Sequence, residues 1–149
     1  LNPKNLAMLS WAIASLFANL GLTESHKEGT EVSSLMVNIA GIAQRKGLWG
    51  FQPGEVASIL WAVNKVHVNQ PLFYAFIRDH LLQIGLDGFN TQDIATILCA
   101  FVKTGHGNDT LYEMLSQKAT RSAKDFNRSE KMMLSWAFSQ LPHVTAPEL

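Results

Sequence analysis

The chain has 149 residues, twelve Lys+Arg against twelve Asp+Glu, and an apolar fraction of 47%. That balance excludes a disordered polar segment and gives no basic excess for generic binding to nucleic acid, while leaving enough apolar residues for a core. No apolar run approaches the roughly 18–20 residues a membrane span needs, and the first residues lack the charged, apolar, small-residue order of a secretory leader.

The chain restates itself. "LNPKNLAMLSWAI" from Leu1, "FQPGEVASILWAV" from Phe51, "FNTQDIATILCAF" from Phe89 and "FNRSEKMMLSWAF" from Phe126 share one internal register, at intervals of 50, 38 and 37 residues. With the opening residue as offset 0, offset 10 holds Trp11, Trp61, Cys99 and Trp136, and offset 11 holds Ala12, Ala62, Ala100 and Ala137. The repeats are 1–50, 51–88, 89–125 and an incomplete 126–149, so the chain reads as an excerpt of a longer array.

In the first repeat, Asn2 is the helix cap and Pro3 the first helical residue, where a missing N–H costs nothing. Leu6, Leu9, Ile13 and Leu16 form one apolar stripe of this first (A) helix. The segment 18–31, rich in Gly, Thr and Glu, predicts a longer surface loop before a second (B) helix over 31–45 that ends at Gly47. The second repeat has Gln52, Pro53 and Glu55 at its start, then Val56, Ile59, Val63 and Val66, with a B helix over 72–84 closed by Gly85.

In the third repeat Asn90 and Asp93 form a capping box, in which a polar cap accepts from a backbone amide and an acid three residues on reaches back. Ile94, Ile97, Phe101 and Thr104 follow, then a B helix over 111–121. Asn127 and Glu130 repeat the box in the last copy, and Lys131 interrupts its apolar stripe, which predicts a less covered edge. Nothing alternates at period two. The expected fold is all-α, a right-handed α-solenoid of helical hairpins with 37–38 residues per repeat, because a hairpin this apolar needs neighbours to bury it.

Chemistry finds little to work with. Cys99 stands alone in a Trp slot and reads as a small buried apolar residue, so disulfides and cysteine-rich metal sites are excluded. The sequons at Asn108 and Asn127 match a triplet that arises often by chance, and Asn127 is already a cap. His26, His67, His80, His106 and His143 are not spaced as a ligand set; His67 and His106 read as turn residues, and Asp79 with His80 as a solvated pair. No phosphate loop, nucleophile elbow or zinc-protease motif occurs, so the expectation is a protein that is not an enzyme, with no cofactor, metal or small-molecule substrate.

The period near 37 or 38, the Phe-Asn/Gln opening, the acid at the third helical position and the "LWA" and "SWAF" strings together resemble the heptatricopeptide and octotricopeptide repeats of organellar RNA-binding proteins. That group includes RAP-domain and FAST-kinase-like proteins. The Pro-rich motif of the octotricopeptide type is missing, so the heptatricopeptide type is the nearer, and no RAP module lies within these residues. The resemblance implies organellar gene expression, mitochondrial first and plastid as the alternative, with RNA and neighbouring proteins of a ribonucleoprotein such as an organellar ribosome as partners, and no membrane. The alternative is a protein-binding solenoid scaffold of a large organellar complex.

Two surfaces follow from the register. The tryptophans at offset 10 could stack bases, but constancy beside alanine favours inter-repeat core for Trp11, Trp61, Cys99 and Trp136 together with Ala12, Ala62, Ala100 and Ala137. Offsets 7, 11 and 14 form a stripe whose constant alanine admits either another helix or a nucleotide. On the second alternative Ser58 with Lys65, and Thr96 with Lys103, are successive contact sites, and Ser15 and Gln140 occupy the matching outer positions.

Overall fold

A polar side chain at offset 1 starts every A helix. In the computed structural model, which describes residues 2–22, 27–67 and 69–149 apart from the side chains of residues 27 and 28, these helices are α1 (Pro3–Asn19), α3 (Pro53–Lys65), α5 (Thr91–Thr104) and α7 (Arg128–Ser139). All four begin at offset 2, as the caps predict. Asn2, Asn90 and Asn127 each accept through Oδ1 from the amide three residues on, at 2.8 Å in all three cases. The return half of the box is made by Glu130 Oε1, 3.0 Å from the Asn127 amide, and by Glu55 and Asp93 at 3.3 Å from the amides of Gln52 and Asn90.

The B helices are α2 (Lys27–Lys46), α4 (Pro71–Ile84) and α6 (Asp109–Arg121). Gly47 and Gly85 follow two of them at φ 78° and 74°, the left-handed region that only glycine enters freely. The largest departure from expectation is α2, which starts at residue 27 rather than 31 and so takes up part of the predicted loop. Residues 23–26 of that loop, His26 among them, and Leu1 lie outside the described residues. Among the described residues there is no strand, and no helix is long and apolar enough to cross a membrane.

The chain forms two compact units, Leu1–Phe76 and Ile77–Leu149, with the border inside α4. In the first, α1 packs chiefly on α3, and α2 packs on both. In the second, α5 packs on α7 and on α6. Within each unit, therefore, A helices of consecutive repeats lie against each other.

Burial distinguishes two sets of positions along the A helices. On α1, which packs chiefly on α3 and also on α2, the buried residues are Leu6, Ala7, Ser10, Ala14 and Phe17, offsets 5, 6, 9, 13 and 16. Towards the preceding helix, α7 buries Leu134, Ala137, Phe138 and Leu141, offsets 8, 11, 12 and 15. On α3 and α5 both sets are buried, as Val56, Ala57, Leu60 with Ile59, Ala62, Val63, and as Ile94, Ala95, Leu98 with Ile97, Ala100, Phe101.

A tyrosine at offset 23 ties the second and third hairpins. Tyr112 donates to the Phe101 carbonyl at 3.2 Å, its ring lying where a Cβ on Gly107 would be, so only glycine fits that loop position. Tyr74 accepts from Asn64 Nδ2 at 3.4 Å, and burial raises the pKa of both phenols above their ordinary value, making them weaker acids. The segment after α7 is held by Leu141 and Val144, both buried, and by the Ser116 hydroxyl, which donates to the Thr145 carbonyl.

His80 on α4 is buried, a correction to the solvated pairing expected for it; Asp79 instead meets Arg78 at 3.2 Å on the surface. Burial disfavours the imidazolium and lowers the His80 pKa from its ordinary 6.5. A folded-state value below the unfolded one means that the unfolded chain binds more protons as the pH drops through about 6.5, so stability is retained above that pH and lost below it. Urea midpoints measured between about pH 7.5 and 5 should fall with acidity. The His80→Gln variant should show a shallower fall, and an identical profile would remove His80 as the cause.

Candidate nucleic-acid interface

Outside these seams each A helix has a third face at offsets 3, 7, 10 and 14, spaced four, three and four residues apart and hence on one side of the helix, and of its residues only Cys99 is buried. On α1 this face carries Lys4, Met8, Trp11 and Ser15, and on α3 Gly54, Ser58, Trp61 and Lys65. In the second unit α5 contributes Gln92, Thr96, Cys99 and Lys103, and α7 Ser129, Met133, Trp136 and Gln140.

One expectation changes here. Trp11 is 56% exposed and Trp136 44%, and Trp61 is half-buried, so the tryptophans are not inter-repeat core. Offset 10 sits at the margin between the following seam and the open face. An indole is too large for that margin and projects outward, whereas the smaller Cys99 fits within it, 6% exposed, its Sγ 3.8 Å from the Met133 carbonyl on α7. Burial pushes the Cys99 thiol up, with Lys103 opposing, which keeps it protonated and unreactive.

The alanines keep the core place expected of them in three of the four copies. Ala62, Ala100 and Ala137 are buried, Ala62 on the helix that packs on α1 and Ala137 on the helix that packs on α5, where a missing side chain lets helices approach, so offset 11 does not floor an open groove. Ala12 is exposed, because no preceding A helix covers α1 among the described residues.

Of the expected contact residues, Lys65, Lys103 and Gln140 are exposed, and Ser15, Ser58 and Thr96 are half-buried beside them. Ser58 and Lys65 share the face of α3 in the first unit, and Thr96 and Lys103 that of α5 in the second. The Ser58 hydroxyl donates to the Gly54 carbonyl at 2.8 Å, which leaves its oxygen free to accept from a base amino group. Gln140 caps α7 and donates to the Ser139 hydroxyl at 3.2 Å. Both lysines stand in the last turn of their helices, where a cation also complements the helix dipole, so each has a structural use besides any ligand.

The arrangement defines a class: an all-helical chain whose A helices present, in one register, an indole or thiol between a small or flexible residue and a polar one. Such a face offers stacking surface, hydroxyls and point charges but no nucleophile–base pair. No family model matches the chain, and no solved structure does. It is similar over its whole length, at 26% identity across 152 aligned positions, to a protein of Oryza sativa subsp. japonica described as "RAP domain-containing protein, chloroplastic". The chain spans 23% of that protein's length.

Proposed function

We propose that this chain is an RNA-binding helical-repeat segment of organellar gene expression, working in the plastid. The observation that carries it is the exposed indole at offset 10 of α1 and α7, framed on the same face by residues that meet phosphate or base edges. Aromatic faces stack any base, and lysines at the rim hold the backbone, which is how single strands are bound without a strongly basic protein. The chloroplastic relative supports a plastid in preference to the mitochondrion that the repeat resemblance suggested first. Nothing in the fold or the relative points to a ribosome. The reading assigns binding and no catalytic step.

A protein ligand on the same face is the second reading, favoured by Met8 and Met133 at offset 7, since flexible thioethers suit adaptable protein contacts. The two separate on charge. Changing Lys65 and Lys103 together to Glu should weaken binding to single-stranded RNA and reduce the dependence of affinity on salt by about one to two phosphate contacts, with helicity unchanged. Unchanged affinity and salt slope would assign the face to a protein.

A further inference from the structure

The face of α1 turned away from α3 is apolar and open. Leu9 is 39% exposed and Leu16 59%, Ile13 is half-buried, and Ala12 is exposed. These are offsets 8, 11, 12 and 15, the positions that α3 buries as Ile59, Ala62, Val63 and Val66 and that α7 buries as Leu134, Ala137, Phe138 and Leu141. In each unit the structure shows the neighbour of such a seam: α3 packs on α1, and α7 packs on α5. The covering helix brings aliphatic and small residues, Leu6, Ala7, Ser10, Ala14 and Phe17 on α1, and Ile94, Ala95 and Leu98 on α5.

We propose that Leu9, Ala12, Ile13 and Leu16 form a docking seam for the A helix of a further helical hairpin in the same register, one that presents aliphatic and alanine-sized residues at its own offsets 5, 6, 9 and 13. A second copy of this chain does not supply that partner through α7, where Lys131, Met132 and Ser139 stand in place of Leu6, Ala7 and Ala14 and only Ser135 matches its counterpart Ser10: the decisive change is a charge where α1 buries a leucine. The seam is independent of the exposed indole face, and it stands whether or not RNA binds there.

Residues 1–50 carry a suitable A helix and the natural junction to a following repeat, so a second copy of them fused ahead of Leu1 places the required seam against α1. The probe is a maleimide acting on Leu16→Cys of the original repeat, with buried Cys99 as the internal control. In the unextended chain the new thiol should label rapidly, and in the extended chain roughly tenfold more slowly or less, because labelling then waits for local opening. Leu9→Asp in the original repeat should abolish that protection in the extended chain while leaving the helicity of the unextended chain unchanged. Equal labelling rates in the two chains overturn the inference. So does an extended chain that loses helicity and exposes Cys99, since a matching seam would stabilise the fold.

Discussion

Replacing Trp11 and Trp136 by alanine should weaken binding of single-stranded RNA by about 1–3 kcal/mol for each indole that stacks a base. The prediction depends on where the rings are. At 56% and 44% exposure both offer a free face to solvent, whereas a tryptophan locked between repeats would offer none. Their removal should change stability by no more than about 1 kcal/mol, because much of each side chain is already in water. The measurements are a fluorescence-anisotropy titration with an unstructured RNA and a thermal melt of the same protein. A large stability loss with unaltered affinity would return the tryptophans to a packing role and leave the protein-ligand reading in possession of the face. The same substitution at Trp61, half-buried on α3, mixes the two effects and is the less informative choice.

Phe101→Ala is expected to be the most damaging single change, at about 3–5 kcal/mol, and Ile13→Ala at the same repeat position should cost about 1 kcal/mol or less. Phe101 is fully buried on α5, and its carbonyl receives the Tyr112 hydroxyl that ties α6 to α5. Ile13 holds offset 12 on α1, on the open seam, where truncation leaves no enclosed cavity. Removing a large buried ring loses its transfer free energy and opens a void that packed neighbours fill only in part. Urea denaturation of the two variants checks the contrast. Similar losses at both sites would mean that α1 is covered in solution by something that the described residues do not include.

The hairpin organisation was legible because its signals are local. An Asn or Gln at offset 1, an acid or Asn at offset 4 and Pro3 or Pro53 between them determine where a helix starts through bonds spanning three residues, and the four A helices begin where those signals stand. Gly47 and Gly85 mark the ends of α2 and α4 for an equally local reason, the steric cost of a left-handed backbone to any residue with a Cβ. The start of α2 was missed because Gly29 and Thr30 are poor helix formers and read as loop, yet both lie inside the helix.

The placement of side chains around each A helix was not legible in the same way. Constancy at offsets 10 and 11 distinguishes neither core from surface nor one neighbour from another, and both positions looked alike in the sequence. Packing separates them: Ala62, Ala100 and Ala137 are buried, and one residue earlier the seam runs out, so an indole leaves it and a thiol stays. Exposure also differs between identical registers, Leu16 open and Val66 buried, because burial belongs to the pair of surfaces that meet and is absent from either one alone. The amino-acid sequence by itself determined the helices, their caps and the repeat register, all of which depend on interactions within a few residues. Which face of each A helix is core, which is a seam and which remains free for a ligand was decided only by the tertiary structure, since those assignments depend on residues a whole repeat away.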